Sequence, residues 1–124
     1  MSNTITEFLD QYKRDMTRLR QESPDLVRGF GALFQAGMKD GALSAKHKEL
    51  IALAISVAVR CEACTRLHAY KCLKIGATRE EVLEAAGVAV VMQGGPSYTY
   101  LPLVMEVLDE SAGAAPQAPS GQTT

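Results

Sequence analysis

Residues 49–68 read ELIALAISVAVRCEACTRLH, and the fold turns on how this stretch is interpreted. Its first half, Leu50 to Val59, is an apolar run of ten residues between Glu49 and Arg60. A membrane span needs about 20 such residues, so this is a buried helix, starting near Ala45 with Ser44 as its cap. A helix without a polar face belongs at the centre of a core or between subunits. The second half opens on Cys61-Glu62-Ala63-Cys64 and begins another helix, running to Ile75 and ending at Gly76, a favoured residue just past a helix end.

Outward from this stretch the chain keeps a helical period. Ile5, Phe8, Leu9, Tyr12, Met16 and Leu19 place a first helix at about 4–21. Its charged residues, among them Lys13, Arg14, Arg18 and Arg20 with Glu7, Asp10 and Asp15, form an ordinary solvated face. Ser23-Pro24-Asp25 supplies a cap, a first-turn proline and a dipole-compatible acid for a second helix. That helix is expected to turn Leu26, Val27, Phe30, Leu33 and Phe34 inward. Thr78-Arg79-Glu80-Glu81 has the capping-box pattern and opens a helix burying Val82, Leu83, Ala86 and Val90. Gly94-Gly95-Pro96 breaks it. A last helix runs to about Asp109, with Pro102 either bending it or marking its first turn. The expectation is an all-α domain of about six helices over residues 1–111, followed at 112–124 by a disordered tail of small, polar and proline residues.

Composition narrows the function. The chain of 124 residues suffices for one domain, and its formal net charge of −1 leaves no footprint for nucleic acid or an anionic membrane. The N-terminus has neither a basic start nor an apolar run, so no secretory signal is expected. Three cysteines make a framework of structural disulfides improbable and suit a reducing, cytoplasmic setting.

The chemistry lies on one helix face. At 100° per residue Cys61, Cys64 and His68 fall at about 0°, −60° and −20°. A thiol at a helix N-terminus meets unpaired N–H groups that lower its pKa and make it nucleophilic. His68 follows Cys64 by one turn, about 6 Å along the axis, but follows Cys61 by about 10.5 Å. Cys64 is therefore the attacking thiol and Cys61 the resolving one. A zinc site using these residues with Cys72 or Glu49 is disfavoured, because one straight helix spreads them over about 16 Å. Cys72 reads as a small core residue. Thr65 after Cys64 excludes c-type haem attachment, and His47 reads as solvated. No cofactor or metal is expected.

Glu49, eleven residues, Cys61-Glu62-Ala63-Cys64, three residues and His68 together resemble the E-x(11)-C-x-x-C-x-x-x-H signature of alkylhydroperoxidase D-like proteins, in the carboxymuconolactone decarboxylase superfamily. Lys48-Glu49-Leu50-Ile51-Ala52-Leu53 and Gly76-Ala77-Thr78-Arg79-Glu80-Glu81 are similar too. The resemblance implies reduction of a hydroperoxide through a Cys64 sulfenic acid, condensed by Cys61 to a disulfide, with Glu49 and His68 relaying protons. It also implies a dithiol reductant such as a lipoylated protein, and assembly as a homo-oligomer, a trimer or hexamer. One position departs: the best-known member has histidine where this chain has Ala63, so a simpler relay is expected. Glu62 adds an acid that opposes thiolate formation, with Arg60 and Arg66 to offset it. The rival readings are a decarboxylase of the same superfamily, a branch that uses no cysteine pair, and a non-enzymatic redox sensor or holdase.

One requirement follows from the relay. No proline or glycine separates Ala45 from Ile75, and a continuous helix would hold Glu49 about 18 Å from Cys61. The relay demands a break near Arg60 to Glu62, with the chain reversing to bring Glu49 beside Cys64 and His68.

Overall fold

The computed structural model describes residues 4–114. Its elements are α1 (Thr4–Glu22), α2 (Pro24–Met38), α3 (Ala45–Ala58), α4 (Glu62–Lys74), α5 (Arg79–Gln93), the single turn α6 (Gly95–Tyr98) and α7 (Leu101–Ala114). Among the described residues there is no strand, so the expected all-α bundle is the one observed. None of these helices is long and apolar enough to cross a membrane. Pro102 falls in the first turn of α7, where its missing N–H costs nothing. That helix extends three residues past the boundary expected at 111; the rest of the expected tail, 115–124, lies outside the described residues.

Local chemistry accounts for several helix ends. Ser44 Oγ accepts from the His47 amide at 3.1 Å and starts α3. Thr78 Oγ1 accepts from the Glu81 amide, and the Glu81 carboxylate accepts from the Thr78 amide, each at 3.0 Å. This reciprocal box holds the Glu81 carboxyl below its ordinary pKa, chiefly through the Thr78 amide and then through Lys46. Gly76 adopts φ of 100° after α4, and its amide and that of Ala77 close on Leu73 O and Cys72 O. Ser23 sits at the cap position of α2 as expected, but its side chain makes no capping hydrogen bond.

The core lies where α3, α4, α5 and α7 meet, and α3 packs chiefly on α4 and α5. Leu53 and Val57 of α3, Ala69 and Cys72 of α4, Val82 and Ala86 of α5, and Val104, Val107 and Leu108 of α7 are buried. Helix α1 joins through Ile5, whose amide donates to Glu110 Oε1 at 2.7 Å.

Two expectations about burial are corrected. Helix α2 has no buried residue: Leu26, Phe30 and Leu33 are exposed, and only Val27, Phe34 and Met38 are half-buried. Much of its apolar stripe therefore faces away from the domain, and the helix packs chiefly on α1 and, more lightly, on α3. The all-apolar α3 is likewise divided. One stripe (Glu49, Leu53, Ser56, Val57) is buried, while Ile51, Ile55 and Val59 on the other side are exposed.

Candidate active site

The long apolar helix does break, and at the place the relay requires. Helix α3 ends at Ala58, and Arg60 takes a φ of 55°, the only non-glycine residue with positive φ among those described. The Arg60 amide donates to Val57 O and the Cys61 amide to Ser56 O, each at 3.0 Å. These two bonds close the helix in the pattern normally built on glycine. Remote groups brace the turn: Tyr100 Oη donates to Arg60 O at 3.2 Å, and Gln93 Nε2 to Ala58 O at 3.1 Å. Neither residue carries any sequence signal for this role, since each contacts the turn across 35 or 40 residues of chain.

Cys61 is the cap residue of α4, and its Sγ accepts from the Cys64 amide at 3.2 Å. The field of the helix N-terminus therefore falls on this sulfur. Cys61 and Cys64 form a disulfide, with Cα atoms 5.3 Å apart. Cys61 is half-buried, whereas Cys64 is exposed. Cys72 is a free, buried thiol. Burial and the nearby Glu49 carboxylate push it up to about 12, so it stays protonated at physiological pH.

The reversal at Arg60 lays α3 along α4 and brings Glu49 to His68. Glu49 Oε1 lies 2.8 Å from His68 Nδ1, and both side chains are largely shielded, at 12% and 14% exposure. An ionised carboxylate only accepts hydrogen bonds, so Nδ1 carries the proton and donates it. The neutral ring then keeps Nε2 as its basic nitrogen. Phe34 of α2 meets the His68 ring edge-on, with centroids 6.0 Å apart, and Lys71 Nζ sits 4.5 Å over the centre of the Phe34 ring. Phe34, expected only to fill the core, instead touches the candidate site.

The acid at Glu62 is offset as expected on one side. Arg66 Nη2 lies 3.1 Å from Glu62 Oε2 and 3.8 Å from Glu106 Oε1, which also ties α4 to α7. Among the described residues no group of three or more His, Cys, Asp or Glu is placed to hold a metal ion. His47 is exposed, its Nδ1 bonded to Ser44 Oγ at 2.8 Å.

An α-helical domain with a CxxC pair at a helix start and a shielded Glu–His pair alongside defines a class of helical dithiol proteins. Within that class, the chain belongs to the carboxymuconolactone decarboxylase family, whose model matches residues 24–106. An uncharacterised protein of Cupriavidus necator is 31% identical over 88% of this chain and 96% of its own. An uncharacterised protein of the Paracoccus denitrificans cox locus is 38% identical over 68% of this chain and 77% of its own. The crystal structure of a carboxymuconolactone decarboxylase family protein from Legionella pneumophila superposes with a TM-score of 0.85 at 41% identity, covering 90% of this chain and 99% of that one. A family protein from Thermotoga maritima, for which a part in an antioxidative response has been suggested, is 30% identical with a TM-score of 0.75, covering 84% and 88%.

Proposed function

We propose that this protein is a thiol-dependent peroxidase and disulfide oxidoreductase of the alkylhydroperoxidase type, with Cys64 attacking, Cys61 resolving, and Glu49 and His68 moving protons. The observation that carries the reading is the 2.8 Å bond between Glu49 and His68 Nδ1, one helical turn from an exposed CxxC cysteine. That turn is about 6 Å along the axis, a gap that one water spans.

These positions support the following reaction. His68 Nε2 takes the Cys64 thiol proton, leaving a thiolate. The thiolate attacks the terminal oxygen of the hydroperoxide, and the O–O bond breaks. Sulfur is oxidised by two electrons to a sulfenic acid, and the departing alkoxide takes the proton from His68 and leaves as an alcohol. Cys61, its thiolate stabilised by the Cys64 amide, then attacks the Cys64 sulfur. Water departs and the disulfide forms. An external dithiol, of the kind a lipoylated protein carries, returns both cysteines to thiols. A reducing cytoplasm suits this cycle. The relay runs on Glu49 and His68 without the further histidine that Ala63 replaces.

Stopped-flow mixing of the reduced protein with hydrogen peroxide and with organic hydroperoxides tests the proposal. The expected result is consumption of one peroxide per protein with formation of the Cys61–Cys64 disulfide. Cys64→Ser is expected to abolish it. Cys61→Ser is expected to stop at a Cys64 sulfenic acid that dimedone traps. Removal of the general base at Glu49→Gln or His68→Gln should slow the step by about 10²-fold or more. Labelling of Cys61 rather than Cys64 by dimedone reverses the roles, and no peroxide consumption by the wild type refutes the function.

A further inference from the structure

We propose that Phe34 is a positioning residue for His68, holding the imidazole in the orientation that the proton relay uses. The inference rests on the peroxidase reading for its kinetic consequence, but the placement of the ring stands on geometry of its own.

A single hydrogen bond, from Nδ1 to Glu49 Oε1, leaves the imidazole able to swing about that axis and to exchange Glu49 for water. A second contact is required to hold it. Phe34 provides it from a different element: its ring meets the imidazole edge-on, at an interplanar angle of 68°, a favoured arrangement for two aromatic rings. Phe34 is in turn held on two sides. Lys71 Nζ lies over its ring, and Phe30, one turn earlier on α2, stacks on it at 5.9 Å. Lys71 is three residues after His68 on α4, so the same helix supplies both the imidazole and the cation that anchors its neighbour.

The rest of α2 makes this contact stand out. No residue of α2 is buried, Leu26, Phe30 and Leu33 are exposed, and only Val27, Phe34 and Met38 are half-buried, so Phe34 is one of few apolar residues with which this helix meets the rest of the domain. It is half-buried, and its ring meets the imidazole of a Glu–His pair that is itself largely shielded. In shielded surroundings the carboxylate–imidazole bond is stronger than it would be in water, and the edge contact of Phe34 fixes the plane in which the ring makes it.

The chain has two histidines, His47 and His68, so ring ¹⁵N spectra of the full-length protein are readily assigned, with His47→Gln removing the other set of signals. In the wild type, His68 is expected to show one tautomer, protonated at Nδ1. Phe34→Ala should shift it towards the mixture of tautomers found in free histidine and slow Cys64 oxidation by about tenfold, since small misplacements of a relay group are costly. Phe34→Tyr, which keeps the ring edge, should restore both. Phe34→Leu, which keeps the bulk without the ring, should restore stability but not the tautomer. Leu33→Ala, at an exposed position on the same helix, should change neither. If Phe34→Ala or, should that variant fail to fold, Phe34→Leu retains the wild-type His68 spectrum, the proposal is overturned. If the spectra change as expected but His68→Gln oxidises at the wild-type rate, Phe34 still positions the ring, and it is the relay role of His68 that fails.

Discussion

Three cysteines within twelve residues at and along α4 end up with three different chemistries because their surroundings differ. Cys64 is exposed, Cys61 receives a backbone amide, and Cys72 is buried with its thiol pushed up to about 12. An unfolded cysteine ionises near 9, the ordinary value from which Cys72 starts. Below that pH Cys72 is protonated in both states and has no effect on stability. As pH rises from 9 towards 12 the unfolded chain loses this proton first, so the native state is progressively disfavoured. At pH 8 the reduced native protein is therefore expected to take up an alkylating reagent at Cys61 and Cys64 only, with Cys72 reacting once denaturant is added. Mass spectrometry counts the labels, and a third label acquired at the native rate contradicts the assignment. The sequence placed Cys72 correctly as a core residue, since small thiols are commonly buried. It did not indicate that Glu49 approaches Cys72, because that contact depends on how α3 folds back.

At the scale of the element, the reversal between α3 and α4 decides the most. Arg60 occupies a left-handed conformation that costs a side-chain-bearing residue roughly 1–2 kcal/mol. Gln93, at the end of α5, and Tyr100, in the α6–α7 connection, reach in to hold the carbonyls around it. Such strain persists where the surroundings over-determine the backbone. Arg60→Gly removes the steric conflict but adds freedom to the unfolded chain, so a net stabilisation of about 0.5–1 kcal/mol is expected. A thermal melt should show it as a rise of a few degrees. A fall in melting temperature would mean that the Arg60 side chain, rather than its backbone, is what the turn needs. The other helix ends carry their signals in adjacent residues, which is why Thr78 with Glu81, Ser44 and Gly76 were legible. The turn at Arg60 lacks glycine and proline, so local rules favoured a continuous helix. Only the chemical requirement that Glu49 reach His68 pointed to the break.

At the scale of the whole molecule, several large apolar side chains among the described residues are left exposed. Leu26, Phe30 and Leu33 on α2, Ile55 on α3, Val59 just past its end, and Val91 and Met92 on α5 are each more than half exposed. Where exposed apolar side chains are contiguous they mark association surfaces, and further copies of the chain are the occupant that the family resemblance implies. In light scattering at micromolar concentration the protein is expected to run at a multiple of 13.3 kDa, with three or six copies. A species at the mass of one chain would remove this reading, and the outward face of α2 would then need another partner.

What the sequence determined by itself is local: helical periods, caps and the CxxC at a helix start. These follow from interactions within a few residues, which spacing alone reports. The tertiary structure decided three further things: which side of α2 and α3 meets the core, the pairing of Glu49 with His68 across 19 residues, and the contact of Phe34 with the imidazole. Amphipathic spacing says that a helix has an apolar side but not what covers it. The partners of Glu49 and Phe34 lie on other helices, and their meeting depends on a backbone reversal at a residue type that seldom makes one.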